Sequence, residues 1–293
     1  MKSLLLFIAL LSFPLSQRAT QNSLEETWRS TAAAASGRVG VAALVIGGAE
    51  HASVNGSEHF PAQSVYKLPI AMAVFRLIDQ RKLSLEQAVD ISPKEYPDTD
   101  KHSPLRDQNP KGARKTIREL LQYAIVESDG AASDVLLRLA GGPTAVTQYV
   151  RSLGIKELVV AGSERNMTWK SQYDNWCSPE AAVQLLTALE KGGALSEPGK
   201  TLLLKYMHDT QTGANRIRRL LPSGTLVADK TGSSGTERGL AAATNDIAVI
   251  TLPDGREVAM AVFVSDSTAS DETRDDVIAK IARETWDEWD RAK

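Results

Sequence analysis

A serine and a lysine at helical spacing are the first residues whose types suggest catalysis. They stand in the run Ser64-Val65-Tyr66-Lys67, which opens a segment that is apolar nearly throughout. Residues at i and i+3 share one face of a helix, so the Lys67 amine can be directed at the Ser64 hydroxyl. A serine needs a neighbouring base to act as a nucleophile, and a desolvated lysine with a lowered pKa can serve or assist. The motif therefore suggests nucleophilic catalysis.

The same motif also has a purely structural interpretation. An S-x-x-K spacing is expected about once by chance in a chain of this composition. It would then be an N-capping serine followed by a solvent-facing lysine. Against this, Lys67 lies in an otherwise apolar helix, where an unpaired charge is costly.

Two further motifs contain polar side chains that could bind a substrate. Ser128-Asp129-Gly130 lies at the junction of two predicted helices, where it could equally be a plain N-cap sequence. The segment 230–232, Lys-Thr-Gly, lies at the end of a predicted strand. A cation, a hydroxyl and a residue that permits close backbone approach suit a substrate that carries a carboxylate.

The elements that position these motifs follow from hydrophobic periodicity and capping signals. The patterns predict helices over residues 23–35, 65–78, 116–126, 131–140, 179–190, 199–208 and 271–289. They predict strands over residues 38–46, 225–229, 241–252 and 257–265. Residues 161–177 show no clean period and are predicted to form a long ordered loop, which is uncommon unless it is functional.

The order of these elements predicts an α+β protein, because strands lie near both termini and helices fill the middle. We expect a sheet lobe made of residues 20–60 and 209–293. A helical lobe, residues 61–208, is inserted between these two parts and contains the long loop 161–177.

Composition excludes several classes of function. The chain has 293 residues, of which 34 are Lys or Arg and 36 are Asp or Glu. This balance argues against a nucleic-acid-binding protein and gives no polybasic signal for a membrane surface. Cys177 is the single cysteine, so no intrachain disulfide and no thiolate metal cluster can form. His51, His59 and His208 are too scattered to suggest a metal site, and we expect neither a metal nor another cofactor.

The N-terminus has the pattern of a secretory signal. Met1-Lys2-Ser3 is a short positive start, and an apolar run of eight residues, 4–11, follows it. Such a run is too short to cross a bilayer of about 30 Å but has the length of a signal core. We expect residues 1–19 to be a signal peptide, cleaved after Ser16 or Ala19, the alternative being a buried N-terminal helix. No later stretch has the length of a membrane span, so we expect a periplasmic or secreted monomer without a membrane anchor.

The three motifs, in this order, resemble those of the class A serine β-lactamases. Gln63 before the serine, the run 172–176 and the segment 230–235 are similar to the extended-spectrum branch of PER-type and VEB-type enzymes. The resemblance covers roughly residues 24–286. It implies a β-lactamase/transpeptidase-like fold, in which an antiparallel five-stranded sheet is flanked by the terminal helices and accompanied by an all-α lobe. It also implies hydrolysis of penicillins and cephalosporins through an acyl-serine, and hence antibiotic resistance.

The resemblance assigns catalytic roles to four residues around the nucleophile. Ser64 matches the acylated serine, and Lys67 matches its proton-transfer partner. Ser128 matches the hydroxyl that passes a proton to the departing lactam nitrogen. The backbone N–H groups of Ser64 and Ser233 match the oxyanion hole, in which each donor is typically worth about 10²–10³ in rate.

The resemblance also implies a pocket for the substrate carboxylate. Lys230, Thr231 and Gly232 match the strand segment that holds this group. Arg216 stands fourteen residues before Lys230, where some members of the family place an arginine beside the pocket. Alternatively, Arg216 is a solvated base within the basic run 216–219.

The long loop separates a hydrolase from a protein that merely becomes acylated. Hydrolysis of the acyl-serine requires a base that activates water. Glu164 aligns with the family's loop glutamate, whereas the other loop carboxylate, Asp174, is poorly placed. Four residues further on, Thr168 replaces the usual asparagine that helps to hold the water, and its hydroxyl could serve instead. The loop is about two residues shorter than the PER-type pattern.

Two positions around the pocket depart from the family or are ambiguous. Gly130 replaces an asparagine whose amide would contact the substrate and the surroundings of Lys67. His102 stands where the family often has an aromatic side chain at the pocket rim, although a surface histidine is the simpler interpretation.

Two other functions share parts of this pattern. A D,D-peptidase or related penicillin-binding serine amidase has the three motifs but does not need a deacylating glutamate in such a loop. A β-lactam sensor domain stays acylated and is usually tethered by transmembrane helices.

Overall fold

The computed structural model of the chain describes residues 15–290, and its side chains from residue 22 onward. Most of the proposed signal peptide, residues 1–14, lies outside the described residues. Residues 15–19 belong to the first helix, α1.

Eleven strands can be traced between residues 15 and 290. They are β1 (Arg38–Val45), β2 (His51–Val54), β3 (Phe60–Pro61), β4 (Ala88–Ile91), β5 (Ala113–Thr116), β6 (Leu158–Val159), β7 (Trp176–Cys177), β8 (Val227–Ser233), β9 (Thr236–Glu237), β10 (Leu240–Thr251) and β11 (Glu257–Ser267). The α-helices are α1 (Leu15–Ala32), α2 (Lys67–Asp79), α3 (Pro104–Gln108), α4 (Ile117–Val126), α5 (Gly130–Leu139), α6 (Pro143–Ser152), α7 (Pro179–Glu190), α8 (Glu197–His208) and α9 (Asp271–Asp290).

The main sheet confirms the predicted architecture and adds one short strand. Its strands run in the order β2-β1-β11-β10-β8, every neighbouring pair is antiparallel, and β9 pairs with β10 beside this path. The sheet therefore has five principal strands and a sixth of two residues. Strands β10 and β11 are buried on both faces, which explains why their sequences are almost continuously apolar.

Each face of the sheet packs against a different set of helices. Alternate residues of β11, Val258 to Val264, pack with Trp28 of α1 and Trp286 of α9. The intervening residues, Ala259 to Phe263, belong to a second apolar cluster that extends into the helices between α2 and α8. The sheet thus forms a layer between the terminal helices and the helical part of the chain. The division into lobes at residues 60/61 and 208/209 stays a prediction.

Two differences from the predicted boundaries affect the motifs. Strand β8 continues to Ser233, so the Lys-Thr-Gly motif lies inside the strand and pairs with β10, for example Lys230 with Ile247. The helix predicted from residue 65 begins as a 3-10 turn, Gln63–Tyr66, and becomes α-helical at Lys67. The short strands β2 to β7 were not predicted, because ladders of two to four residues leave little periodicity.

No helix within residues 15–290 is long and apolar enough to cross a membrane.

Candidate active site

The turn that carries Ser64 packs tightly against strand β8. A Cβ at Gly232 would lie only 2.6 Å from the Ala62 carbonyl oxygen and 3.2 Å from the Ser64 nitrogen. Glycine at this position therefore allows the strand to approach the nucleophile turn. Ser64 and the residue that follows Gly232, Ser233, both line the same cleft. An oxyanion hole formed by their backbone N–H groups stays a prediction.

Gln63 ties the same turn to the long loop. It is buried and has a positive φ of 45°, a conformation that is uncommon for a residue other than glycine. Its side-chain amide donates a hydrogen bond of 2.6 Å to Gln172 Oε1. The Gln172 amide in turn donates to the Trp169 carbonyl. The nucleophile turn and residues 169–172 are therefore fixed relative to each other.

Lys67 is buried, with 2% of its surface exposed, which excludes the solvent-facing interpretation. Its Nζ donates a hydrogen bond of 2.5 Å to the Ser128 carbonyl oxygen and lies 3.6 Å from Glu164 Oε2. None of the hydrogen bonds found among residues 15–290 joins Lys67 Nζ to the Ser64 hydroxyl. The lysine instead bridges the second motif and the loop glutamate.

The second motif, residues 128–130, both caps a helix and places a hydroxyl in the cleft. Asp129 is buried and caps helix α5 by accepting a hydrogen bond from the Ala132 nitrogen. Ser128, with a positive φ of 58°, turns its hydroxyl toward strand β8. There Ser128 Oγ accepts a hydrogen bond of 2.9 Å from Lys230 Nζ. Because the hydroxyl accepts from an amine, its own proton can be donated elsewhere.

Lys230 is completely buried and lies behind the cleft wall, where it contacts Ser128. Its Nζ also donates to the Thr231 carbonyl oxygen at 3.0 Å. Burial, and then the positive charge of Lys67, lower the pKa of Lys230 to about 7. Uptake of a negatively charged group beside Ser128 would favour the protonated amine.

The Glu164 side chain lies between the nucleophile helix and the loop. Its Oε2 accepts a hydrogen bond of 3.0 Å from the Tyr66 hydroxyl, in addition to its contact with Lys67. Burial, and then the nearby charge of Glu164, raise the pKa of Tyr66 well above its usual value, so the phenol remains a donor. The glutamate is thus held by a neutral donor on one side and a cation on the other.

The backbone around Glu164 is fixed by Asp134 of helix α5. Asp134 accepts hydrogen bonds from the Glu164 nitrogen at 2.7 Å and from the Arg165 nitrogen at 2.8 Å. Burial raises the pKa of Asp134 to about 6. Neither Asp134 nor Tyr66 was predicted from the sequence to belong to the site, although Tyr66 stands inside the first motif and Asp134 follows Gly130 by one helical turn.

The ends of the loop are joined by Asn175, whose role was not predicted from the sequence, although it belongs to the run 172–176 that resembles the extended-spectrum enzymes. Asn175 is 1% exposed, and its Oδ1 accepts from the nitrogens of Ala161 and Gly162 at 2.7 and 2.9 Å. Thr168 is exposed, and its hydroxyl lies 3.0 Å from Ser171 Oγ. A role of Thr168 in holding water stays a prediction.

Arg216 is half-buried and lies at the edge of the cleft, which excludes the solvated interpretation. Its Nη2 donates a hydrogen bond of 2.7 Å to Ser233 Oγ. Its Nε donates to Asp275 Oδ1 at 2.8 Å, and its Nη1 donates to the Asn245 carbonyl. Two residues before Ser233, the Thr231 hydroxyl lies 2.7 Å from that of Thr212. Arg216 and the hydroxyl-bearing residues Thr212, Thr231 and Ser233 all line the cleft.

These elements enclose a cleft of about 720 Å³. Its walls include most of the predicted site residues: Ser64, Lys67, His102, Ser128, Glu164, Thr168, Arg216, Thr231 and Ser233. Three others, Gly130, Lys230 and Gly232, are buried behind these walls. His102 is exposed at the rim, where its Nε2 lies 2.8 Å from the Glu127 carbonyl oxygen, and stacking on a substrate stays a prediction.

The remaining titratable candidates lie elsewhere. Cys177 is buried, and burial raises the pKa of its thiol. His59 stacks on Trp176 and contacts Glu157, away from the cleft. Among residues 15–290, no three His, Cys, Asp or Glu side chains are grouped in a way that could hold a metal ion.

Comparison with known proteins agrees with this geometry. The model of the β-lactamase enzyme family matches residues 23–289. Two β-lactamases of Pseudomonas aeruginosa are each 39% identical to the chain. The match to β-lactamase VEB-1 covers 85% of this chain and 84% of that protein. The match to the extended-spectrum β-lactamase PER-1 covers 96% and 91%.

The chain belongs to the class A serine β-lactamases. Among solved structures, the TLA-3 extended-spectrum β-lactamase superimposes with a TM-score of 0.90 at 36% identity, covering 92% of this β-lactamase and all of that chain. The family resemblance inferred from the three motifs is confirmed, and so is the fold.

Proposed function

We propose that the protein hydrolyses the amide bond of β-lactams, penicillins and cephalosporins among them, through an acyl-serine, and thereby confers resistance to these drugs. The observation that carries this proposal is the position of Glu164. Its carboxylate lies in the wall of the same cleft as Ser64, 3.6 Å from Lys67 Nζ and hydrogen-bonded to Tyr66. A base in this position can activate water against an ester on the serine.

The first half of the reaction forms the acyl-enzyme. Ser64 Oγ attacks the lactam carbonyl carbon, and Lys67 takes up the proton of the serine hydroxyl. The backbone N–H groups of Ser64 and Ser233 stabilise the negative charge that develops on the carbonyl oxygen. When the C–N bond breaks, the Ser128 hydroxyl gives its proton to the nitrogen. Lys230, hydrogen-bonded to Ser128 Oγ, stabilises the charge left on this oxygen until the proton that Lys67 took from Ser64 is passed to it.

The substrate carboxylate fits the charge pattern at the β8 side of the cleft. The hydroxyls of Thr231 and Thr212 line this region, and Lys230 and Arg216 supply positive charge. We assign carboxylate binding to this group, with Gly232 providing the close approach of the strand to the nucleophile turn.

The second half of the reaction releases the product. Glu164 removes a proton from water, and the resulting hydroxide attacks the ester carbonyl. The ester C–O bond breaks, and the proton that Glu164 took from water is returned to Ser64 Oγ. The ring-opened product, which now carries the carboxyl group formed from the lactam carbonyl as well as its original carboxylate, then leaves. A D,D-peptidase or a sensor does not require a carboxylate in this position, so the geometry favours a hydrolase over both alternatives.

We also propose that the enzyme acts outside the cytoplasm as a monomer. Support comes from the signal-like sequence at residues 1–19 and from the similarity to the β-lactamases described above. Mass spectrometry of the mature N-terminus, together with sedimentation of the purified protein, tests both points.

The function is tested by a turnover assay with a chromogenic cephalosporin, combined with intact mass spectrometry after rapid quenching. We expect the wild type to hydrolyse the substrate and return to its free mass. The Ser64→Ala variant should show neither turnover nor covalent labelling while keeping its thermal unfolding temperature. A wild type that stays acylated would identify a sensor or a peptidase-like acceptor, and labelling of Ser64→Ala at another serine would reject the nucleophile.

A further inference from the structure

Gly130 is the first residue of helix α5, and its backbone conformation is one that residues other than glycine adopt readily. The residue is buried and helical, and its φ lies outside the left-handed region that favours glycine. Glycine is a poor helix former compared with alanine. A residue that opposes the local preference in this way points to a constraint from outside the helix.

That constraint is the side chain of Glu164. A Cβ at Gly130 would lie 2.8 Å from Glu164 Cγ and 3.1 Å from the His102 carbonyl oxygen. Carbon atoms in contact are normally about 3.5–4.0 Å apart. In the present arrangement of these two segments, Glu164 Cγ therefore occupies space that a Cβ at position 130 would need.

The backbone on the opposite side cannot withdraw to make room. The Gly130 nitrogen donates a hydrogen bond of 3.1 Å to the His102 carbonyl oxygen. The neighbouring Asp129 carboxylate, completely buried, accepts hydrogen bonds from Ser103 Oγ and from the Leu105 nitrogen. Segments 102–105 and 129–132 are thus fastened together.

The Glu164 backbone cannot withdraw either, because both Asp134 oxygens hold it to the same helix α5. The remaining freedom is rotation of the Glu164 side chain. Such a rotation moves Oε2 away from the Tyr66 hydroxyl at 3.0 Å and from Lys67 Nζ at 3.6 Å.

We propose that Gly130 is a positioning residue for Glu164: its missing side chain provides the space in which the carboxylate reaches Tyr66 and Lys67. The consequence for catalysis rests on the proposed role of Glu164 as the deacylating base. The packing itself does not, so the two parts can be tested separately.

The first experiment measures acylation and deacylation of the Gly130→Ala variant by rapid quenching and intact mass spectrometry with a penicillin. Displacement of a reacting group by about 1 Å can cost about 100-fold in rate. We expect deacylation to slow by about 10- to 100-fold and acyl-enzyme to accumulate, while acylation changes much less. The matched control is Gly162→Ala in the long loop, where a Cβ meets no atom within 4 Å, and it should behave as wild type. Deacylation at the wild-type rate, or an equal loss in both steps, would overturn the proposal.

The second experiment is a stability cycle that needs no activity. Thermal unfolding is compared for wild type, Gly130→Ala, Glu164→Ala and the double variant. Replacing Glu164 by alanine removes Cγ and leaves its Cβ, 3.5 Å from the new methyl group, in ordinary contact. The drop in unfolding temperature caused by Gly130→Ala should therefore shrink or reverse in the Glu164→Ala background. Equal drops in both backgrounds would show that the added methyl group does not act on Glu164.

The two experiments also separate this proposal from the proposed function. If Glu164→Ala deacylates normally, the base lies elsewhere, and the stability cycle still decides whether Gly130 makes room for Glu164. If Gly130→Ala fails to fold, folding of the double variant supports the proposal, and its failure to fold overturns it.

Discussion

Two walls of the cleft are held in place by different kinds of contact. Ser64 and Lys230 belong to a turn and a strand that pack against each other and against a buried core. Glu164 belongs to another part of the cleft wall, a loop whose path is set by hydrogen bonds to individual side chains, mainly Asp134 and Asn175.

Because of this difference, we expect substitutions to affect acylation and deacylation unequally. A strand within a sheet shares its backbone hydrogen bonds among many residues, so one substitution disturbs its path little. A loop that depends on one buried carboxylate and one buried amide can move when either is lost. We therefore expect acylation to tolerate substitutions that impair deacylation.

The largest expected effect comes from removal of the base itself. Glu164→Ala leaves Ser64, Lys67 and the oxyanion hole in place, so the variant should still attack a penicillin. It should then stall, because positioned general-base catalysis contributes about 10²–10⁴ in rate. Mass spectrometry should show an increase equal to the whole drug that persists long after the wild type has returned to its free mass.

The matched control for this variant is Asp174→Ala, which removes the exposed carboxylate of the same loop. It should turn over like the wild type. Normal turnover of Glu164→Ala would show that the alignment of this short loop is wrong.

Carboxylate binding on the strand β8 side of the cleft is tested by Lys230→Ala with carboxylate-bearing β-lactams. Truncation of one partner of a buried charged pair costs about 2–5 kcal/mol, which should appear in kcat/KM. The matched control is the same compound with its carboxylate esterified, on which the loss should be much smaller. Arg216→Ala should give a milder loss, because Arg216 is less buried and also pairs with Asp275. An equal loss on acid and ester would remove Lys230 from the carboxylate pocket.

The dependence of the long loop on the hydrogen bonds of Asn175 is tested by Asn175→Ala. The substitution leaves the Ala161 and Gly162 amides without their acceptor, at a cost of about 1–3 kcal/mol for a buried group. We expect a lower unfolding temperature and deacylation that slows more than acylation. Asn166→Ala, an exposed asparagine of the same loop, is the control. If both steps slow equally, Asn175 supports the whole cleft and not the loop alone.

The smallest expected effect is a pH dependence of kcat/KM that arises from Lys230. Since kcat/KM reports ionisations of the free enzyme, the Lys230 pKa of about 7 predicts a fall above this pH for carboxylate-bearing substrates. The fall should be at most about tenfold per pH unit. Lys230→Arg stays charged, so its alkaline limb should move to higher pH. An unchanged limb in Lys230→Arg would assign the titration to another group.

The same lowered pKa affects stability with a definite sign. Between about 7 and the ordinary value of 10.5, the unfolded chain binds the Lys230 proton more strongly than the folded protein does. This residue therefore makes the free energy of unfolding rise with pH across that window, whereas below pH 7 its buried charge is destabilising. Urea unfolding at both ends of the window, compared with Lys230→Met, measures the contribution.

Much of the fold could be predicted from local patterns. The C-terminal helix, the long helices of the middle and strands β10 and β11 have a clear period, and their boundaries differ from the prediction by at most a few residues. The first helix is the exception, because it already includes Leu15, eight residues before the start predicted at residue 23. The strands of two to four residues were not predicted, because their formation depends on a partner strand and not on their own sequence.

The three motifs were visible in the sequence because each is a set of neighbouring residues whose chemical types belong together. Residue types and spacing were enough to suggest a serine nucleophile and a carboxylate pocket, whereas the loop base was implied by the resemblance to a known family. What only the tertiary structure decided is which of these groups touch. Lys230 meets Ser128 across 102 residues of chain, and Tyr66 meets Glu164 across 98. The support of the loop by Asp134 and Asn175, and the space that Gly130 leaves for Glu164, are equally non-local. Contacts of this kind depend on how buried backbones pack, and a single sequence carries no local pattern for them.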